Sequence, residues 1–172
     1  MESVRLPSGR EVTIRPITPG DAGPLQAAYD HLSPRSKYRR FLAPKPHLTS
    51  SDTRYLVHVD GRDHVALVAT PAAKSSWIIG VARFVRAPDD PQLAELAIVV
   101  GDPFQREGLA TALVARLARR ATELGITRLR GTMLSENLPA DRLVKGAAAS
   151  VVRERLLGPV KEIEIELPVL VR

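Results

Sequence analysis

The amino-acid sequence predicts an α/β (α+β) fold in which helices cover both faces of a mixed, mostly antiparallel central sheet. Residues 93–100 are almost continuously apolar, as expected for a strand covered on both faces. Residues 109–121 place apolar side chains at helical spacing, and residues 160–167 alternate apolar with acidic side chains, as a half-buried strand does. Because a chain of 172 residues can bury a sizeable core, we expect one domain covering residues 1–172.

Turn and capping residues divide the front of the chain into one strand and three helical segments. Pro16 and the turn Thr18-Pro19-Gly20 close the strand, and Asp21 can cap the helix after it. Ser33-Pro34 is a second helix start, because a serine cap followed by proline suits the first helical turn. The predicted elements are a strand at residues 11–15 and helices at residues 22–32, from residue 34, and from about residue 49 to residue 59.

The remainder of the chain alternates strands with two helices. Gly125 stops the first of these helices, and a proline-rich loop at residues 87–91 leads into the apolar strand. In the last strand we expect the isoleucines in the core and Glu162, Glu164 and Glu166 on a face exposed to solvent. The predicted elements are strands at residues 64–70, 77–86, 93–100, 128–134, 151–156 and 160–167 and helices at residues 109–123 and 138–149.

Composition limits the function classes. The sequence contains no cysteine, which excludes disulfides, thiolate metal sites and a cysteine nucleophile, and its four histidines lack short metal-ligand spacing, so we expect no metal site. No apolar run approaches the length needed to cross a bilayer, and the N-terminus lacks the apolar core of a signal peptide, so we expect a cytoplasmic protein that does not bind membranes. The net charge of +6 suggests a polyanionic partner, but the cations are spread along the chain, which disfavours nucleic acid as that partner. We expect a monomer or a homodimer.

The turn between the apolar strand and the next helix suits an anion. Gly108 and Ala110 carry little or no side chain, and the first backbone N–H groups of a helix have no intrahelical partners. These groups lie at the positive end of the helix dipole, where a diphosphate can approach them. An ordinary helix start is the alternative, but it would favour Ser, Thr or Asp and would avoid glycine in the first turn.

This turn carries a resemblance to a known family. Gln105-x-x-Gly108-x-Ala110 after an apolar strand resembles the acyl-CoA-binding signature of the GCN5-related N-acetyltransferases (GNAT). The strand at residues 128–134, with Glu136-Asn137 beyond it, fits the same family. The resemblance covers most of the chain, and residues 31–41 followed by a strand pair are similar to the acetyltransferase domain of bacterial protein-lysine acetyltransferases. It implies a GNAT-like fold and acetyl-CoA as co-substrate, without a metal.

The resemblance also implies a set of cofactor-binding residues. The turn and first helical turn would hold the diphosphate, and the end of the strand would present backbone groups to the pantetheine arm, since members of the family splay this strand from its neighbour. Asn137 occupies the position of an asparagine that contacts the cofactor in similar enzymes, although a simple helix cap explains it nearly as well. The candidate cofactor-binding residues are Ile98, Val99, Val100, Gln105, Arg106, Gly108, Leu109, Ala110, Thr111 and Asn137.

Glu95 is the only charged residue between positions 93 and 100. On a strand it shares a face with Ala97 and Val99, which are small enough to leave space beside it. Acetylation requires a neutral amine, and a carboxylate can take the amine proton directly or through water. A solvated charge near the start of the strand is the alternative. The resemblance implies the catalytic role, because related acetyltransferases use a glutamate in this part of this strand as general base.

The segment from Arg35 to Phe41 carries four cations and two aromatic residues. It reads either as an amphipathic helix that docks its aromatic side chains on the sheet and keeps its cations in water, or as an acceptor-side wall over the thioester. A cationic wall would repel a free polyamine and would suit a peptide with acidic residues beside its lysine. The cations are Arg35, Lys37, Arg39 and Arg40.

The sequence therefore predicts an acetyl-CoA-dependent N-acetyltransferase that transfers the acetyl group directly to an amine with Glu95 as general base. A protein lysine is the preferred acceptor, and a small amine such as an antibiotic or a polyamine is the alternative. A non-catalytic acyl-CoA-binding regulatory module on the same fold is the rival from another class, favoured if Glu95 points at solvent. A nucleic-acid-binding domain ranks third, and a steep salt dependence of oligonucleotide binding would indicate it.

Overall fold

The computed structural model describes residues 1–168, which form eight strands and five α-helices. The helices lie on both faces of one mixed sheet, and this confirms the predicted fold class. No helix within residues 1–168 is both long enough and apolar enough to cross a bilayer. The strands are β1 (Glu2–Arg5), β2 (Glu11–Pro16), β3 (His64–Pro71), β4 (Gly80–Ala87), β5 (Asp90–Val100), β6 (Arg128–Leu134), β7 (Ser150–Leu157) and β8 (Val160–Glu166), and the helices are α1 (Ala22–Asp30), α2 (Pro34–Phe41), α3 (Ser50–Val57), α4 (Leu109–Glu123) and α5 (Leu138–Gly146).

The strand order is β1-β2-β3-β4-β5-β6-β8-β7, and every neighbouring pair is antiparallel except β5 and β6. The parallel ladder is short, running from the pair Leu93 and Arg128 to the pair Leu96 and Gly131. Beyond it β5 continues to Val100 beside β4, while β6 continues beside β8. The two central strands therefore diverge, and among residues 1–168 no strand pairs with the β6-facing edge of β5 after Leu96.

Two apolar cores lie on opposite faces of the sheet. Leu113 and Leu117 of α4 pack with Phe84 of β4 on one face, where α5 adds Val144. The other face packs α1 and α3 on the sheet, with Val57 among its fully buried residues. Successive β4 residues contribute to opposite cores, as the period of a strand requires. Glu95 lies on the α1 and α3 face, because its neighbours Ala94 and Leu96 belong to the α4 core.

One strand was missed by the predictions, and three elements begin or end about three residues from their predicted positions. Strand β1 was not predicted; it pairs with β2 across the turn at residues 6–10. Strand β4 begins at Gly80 because residues 74–77 form a turn, and β5 already begins at Asp90, which pairs with Ala87 across a tight turn. Helix α5 ends at Gly146, three residues early, because the N–H of Ala149 already donates to the carbonyl of Glu166.

The predicted solvent-exposed acidic face of β8 is wrong for Glu164. This side chain is only 5% exposed, because β8 lies inside the sheet between β6 and β7. Its carboxylate accepts hydrogen bonds from Arg128 at 2.6 Å and from Arg130 at 3.3 Å. Burial acts to raise the pKa of Glu164, but the two arginines outweigh it, so the pKa lies below its usual value.

Candidate active site

A cavity of about 690 Å³ opens where β5 and β6 diverge. Helix α2 lines one side of it, the start of α4 another, and the first half of α5 a third. The structure brings all the sequence-predicted site residues to its walls. These are Glu95, Ile98, Val99, Val100, Gln105, Arg106, Gly108, Leu109, Ala110, Thr111 and Asn137.

Glu95 lies at the closed end of the cleft. It pairs in the sheet with Arg130, one position before the parallel ladder ends. Its side chain is 45% exposed, and its Oε1 accepts a hydrogen bond from Nη1 of Arg130 at 2.9 Å. The carboxylate therefore lines the cavity while a single arginine holds it, an arrangement that leaves its second oxygen available to a substrate amine or a water.

The environment raises the pKa of Glu95 above its usual value. Burial is the largest cause, because it penalises the charged form, and the carboxylates of Glu162 and Glu164 act in the same direction. The charge and hydrogen bond of Arg130 oppose this rise. A carboxylate with a raised pKa is a stronger base, which is the change that proton abstraction from an amine requires.

Sequence reasoning missed Arg130. Besides Glu95 it contacts Glu164, and its Nε lies 3.8 Å from Glu162. Arg128, two residues earlier on β6, bonds Glu164 and Asp90 but does not contact Glu95. Two arginines at alternate positions of one strand indicate that charged groups lie on one face of that strand. Their partners depend on the register of the neighbouring strands, which could not be predicted from the sequence.

The start of α4 forms an open backbone cradle. Its first intrahelical hydrogen bond runs from Ala112 N to Gly108 O at 3.0 Å, so the N–H groups of Leu109, Ala110 and Thr111 precede the ladder. Within the described residues no side chain caps this helix. The turn before it holds Arg106 at φ 64° and Gly108 at φ 87°, both in the left-handed region. Glycine adopts this region without strain, whereas the strained backbone of Arg106 persists because the surrounding structure holds it.

A second reason for glycine at position 108 comes from the turn between β1 and β2. A Cβ on Gly108 would lie 2.8 Å from Cδ of Pro7, so the backbone of the cradle packs directly on this turn. Arg10 adds a bidentate ion pair to Glu107, with Nε to Oε2 at 2.6 Å and Nη2 to Oε1 at 3.1 Å. The unpredicted hairpin therefore supports the cradle from outside the cavity.

We expect Gly108→Ala to lower the free energy of unfolding by about 2–3 kcal/mol, from left-handed backbone strain together with the clash against Pro7. Gly125→Ala is the matched control, because Gly125 has φ 79° and nothing within 4 Å of its Cβ position. Denaturant unfolding should show a smaller loss for Gly125→Ala, and Pro7→Ala should recover part of the loss caused by Gly108→Ala. Equal losses in the two glycine variants would contradict the contact with Pro7.

Two of the predicted cofactor residues use their side chains inside the protein. Nε2 of Gln105 donates to the carbonyl of Val100 at 3.1 Å and to Oγ of Ser36 at 3.5 Å. Oδ1 of Asn137 accepts from Ala140 N at 3.4 Å, which makes Asn137 the N-cap of α5. The helix-cap interpretation of Asn137 therefore holds, and its amide nitrogen is the group that remains for a ligand.

Asp102 anchors α2 over the cleft. It follows β5 and accepts hydrogen bonds from Ser33 N at 3.0 Å and from the hydroxyls of Ser33 and Ser36, each at 2.8 Å. Burial acts to raise the pKa of Asp102, but these donors outweigh it, and the pKa lies below its usual value. The carboxylate therefore stays charged and fixes the first turn of α2 to the end of β5.

The cations of α2 divide into two groups. Arg39 and Arg40 line the cavity, whereas Arg35 is exposed outside it and Lys37 donates to the carbonyl of Pro46 at 2.9 Å. The aromatic residue Phe41 packs edge-on against Tyr29 at a centroid distance of 5.8 Å. Helix α2 therefore forms a wall of the cavity, but the expectation that it docks both aromatic side chains on the sheet is wrong for Tyr38, which is 40% exposed.

Several known acetyltransferases and acyltransferases are similar to this chain in sequence and structure. The crystal structure of the GNAT domain of S. lividans PAT superposes with a TM-score of 0.87 at 32% identity, covering 96% of each chain. Acetyltransferase Pat from Mycolicibacterium smegmatis is 31% identical over 163 residues. The structure of a cAMP-binding acyltransferase from Mycobacterium smegmatis matches with a TM-score of 0.67 at 29% identity, covering 97% of this chain and 47% of that one.

The match to Acetyltransferase Pat covers 94% of this chain and 48% of that protein, so the chain spans about half the length of this curated relative. The family model for the acetyltransferase (GNAT) domain matches residues 11–147. That range includes β2 through α5, and with them the cleft, the cradle and Glu95. The chain belongs to the GNAT acetyltransferase family.

Proposed function

We propose that this chain transfers the acetyl group of acetyl-CoA to a lysine side chain of a protein. One observation carries the proposal: a single cavity joins Glu95, a partly buried carboxylate with a raised pKa, to the uncapped first turn of α4. The first feature suits deprotonation of an amine, and the second suits a diphosphate. Acetyl transfer from a CoA thioester to an amine needs both.

Two parts of the cavity would bind different parts of acetyl-CoA. The N–H groups of Leu109, Ala110 and Thr111 would hold the diphosphate, and the exposed guanidinium of Arg106 would add positive charge. The edge of β5 from Ile98 to Val100, which has no strand partner toward β6, would pair with the amides of the pantetheine arm. When bound, acetyl-CoA would supply an activated thioester carbonyl.

Direct transfer follows from the residues present. Glu95 takes a proton from the acceptor ammonium, either directly or through a water, and so provides the neutral amine that attacks. A carbon–nitrogen bond forms at the acetyl carbon, the carbon–sulfur bond breaks, and the second proton of the nitrogen passes, directly or through water, to the departing thiolate, so that coenzyme A leaves as its thiol. Backbone N–H groups on the unpaired edge of β5 would stabilise the negative charge that develops on the carbonyl oxygen. Because the sequence contains no cysteine, no acetyl-cysteine intermediate on this chain is available.

Two observations support a protein lysine as the acceptor. The front of the chain is similar to the acetyltransferase domain of bacterial protein-lysine acetyltransferases, and the acceptor side of the cavity carries Arg39 and Arg40. Two arginines beside the cleft disfavour a polycation such as a free polyamine. They do not disfavour a single lysine whose neighbours in the peptide are neutral or acidic.

We expect Thr111→Glu to weaken acetyl-CoA binding by about tenfold or more, measured by calorimetry, because it places a carboxylate beside a diphosphate. Thr111 is exposed on the first turn of α4 and lines the cavity. An acidic side chain on the first helical turn should leave the thermal stability unchanged or raise it slightly, so loss of binding would not reflect unfolding.

Thr111→Gln is the control, since it keeps the size of the new side chain without its charge. It should bind acetyl-CoA considerably more tightly than Thr111→Glu, and added salt should narrow the difference by screening. Equal affinity of the wild type and Thr111→Glu for acetyl-CoA would place the diphosphate elsewhere and would contradict the proposed cofactor site.

A further inference from the structure

We infer that Arg40 binds a carboxylate of the acceptor, an acidic side chain close to the lysine that is acetylated. The inference rests on the proposed function and specifies its substrate class. It predicts that the protein selects lysines by the charge of their neighbours, and it assigns that selection to one residue of α2.

The position of Arg40 follows from how α2 lies over the sheet. The helix begins at Pro34, its N-cap Ser33 bonds Asp102 just beyond β5, and the helix packs on that strand. The pKa of Arg83 of β4 falls to about 9, first because Arg83 is buried and then because the positive charge of Arg40 acts on it. Arg83 pairs in the sheet with Ala97, the residue that follows Glu95 on the same face. Arg40 itself lines the cavity, as do Glu95 and Ala97. We infer that it lies beside the place where the acceptor amine meets Glu95.

The two arginines have no acidic partner among the described residues. Nη1 of Arg83 donates to the carbonyl of Leu56 at 3.0 Å and lies 3.0 Å from Nε2 of His64, which can accept only as a neutral ring. Burial first, and then the charge of Arg83, lower the pKa of His64 and keep it neutral. Two guanidinium groups, those of Arg40 and Arg83, are therefore withdrawn from water without a carboxylate to neutralise them. A ligand that carries a negative charge would supply the missing partner.

The side chain of Arg40 contacts an aromatic ring but has no hydrogen-bond acceptor among the described residues. Its guanidinium lies over the ring of Phe41, with Cζ 4.6 Å from the ring centroid. Within residues 1–168 no oxygen accepts a hydrogen bond from its N–H groups. The adjacent Arg39 also lines the cavity, and its buried Nε–H has no acceptor there.

This geometry suits a carboxylate better than other groups. A guanidinium presents two parallel N–H groups, which match the two oxygens of a carboxylate. Because Phe41 already orients the side chain, little conformational entropy remains to be lost on binding. A hydrogen bond to a charged group in this setting changes affinity by about tenfold or more. We therefore expect acidic residues near the acceptor lysine to raise kcat/KM by that amount.

The experiment uses lysine peptides in which one glutamate is moved through positions −3 to +3 around the lysine, each paired with the glutamine peptide. For the wild type, at least one glutamate peptide should exceed its glutamine partner about tenfold in kcat/KM. Arg40→Gln should remove this preference, so that the ratio of kcat/KM between each glutamate peptide and its glutamine partner falls to about one. Arg35→Gln removes the same charge from the same helix outside the cavity, so it should keep the preference.

A binding measurement separates recognition from chemistry. Fluorescent peptides that carry Nε-acetyl-lysine cannot react, and their anisotropy should show the same dependence on glutamate and on Arg40. Transfer to lysine peptides without any glutamate preference, or with a preference that survives in Arg40→Gln, would overturn the inference and leave the proposed function intact. Failure to acetylate any peptide or protein lysine would overturn both.

Discussion

Replacing Glu95 by glutamine is expected to lower kcat at neutral pH by about two to four orders of magnitude, the range found when a general base is lost. Glutamine keeps the size of the side chain and can still bond Arg130, but it cannot take a proton. Acetyl-CoA affinity should change little, because the cradle at the start of α4 is built from other residues. Rapid-quench or steady-state assays on a verified acceptor, with calorimetry of acetyl-CoA binding, measure the two quantities separately.

Glu162→Gln is the matched control for Glu95→Gln. Glu162 also lies near Arg130, with its Oε1 3.8 Å from Nε, but it does not line the cavity. Its replacement should leave kcat within about threefold of the wild type. If Glu95→Gln itself lowered kcat by less than about threefold, the general-base assignment would fail, and an acceptor that arrives already neutral would be the simpler mechanism.

Removal of Arg130 is expected to shift the pH dependence of the reaction. Arg130→Gln removes the charge and the hydrogen bond that oppose the rise in the pKa of Glu95. That pKa should therefore rise further, and the acid limb of kcat/KM, which reports ionisation of the base in the free enzyme, should move to higher pH. The carboxylate would also lose its orienting partner, so we expect kcat/KM to fall by about tenfold to a hundredfold even at high pH.

Arg128→Gln separates this effect from a loss of stability. Arg128 and Arg130 both donate to the buried carboxylate of Glu164, so either change should lower the free energy of unfolding by about 1–3 kcal/mol. Of these two arginines, Arg130 contacts Glu95 and Arg128 does not. An acid limb that moves equally in both variants, or in neither, would contradict the positioning role of Arg130.

The parts of the fold and site that could be predicted are local in sequence. The unbroken apolar run of β5, the turn with Gly108 and the helical spacing of α4 lie within about thirty residues, and they determine the strand, the cradle and the direction of the helix. The placement of Glu95 on the face of Ala97 and Val99 follows from the period of a strand. All the candidate residues therefore line one cavity, although their roles toward a cofactor stay predictions.

The parts that could not be predicted depend on contacts between distant segments. The pair of Glu95 and Arg130 arises from the register of a parallel ladder whose strands are joined by a helix, and Glu164 is buried because β8 inserts between β6 and β7. Likewise, Asp102 reaches α2 across 66 residues of sequence. A pattern of apolar residues specifies which face of each element is buried, but it does not specify which charged residues meet across the sheet.

The most direct test of the account compares acceptors. Purified protein and isotopically labelled acetyl-CoA are given a panel of folded proteins from a dialysed bacterial lysate, spermidine and an aminoglycoside, and label is followed to Nε-acetyl-lysine or to the small amine by mass spectrometry. The best protein acceptor is then purified, and its kcat/KM is measured beside those of the two small amines. The account predicts that a protein lysine gives the highest value and that this value falls in Glu95→Gln. Faster turnover of either small amine than of every protein tested would contradict it.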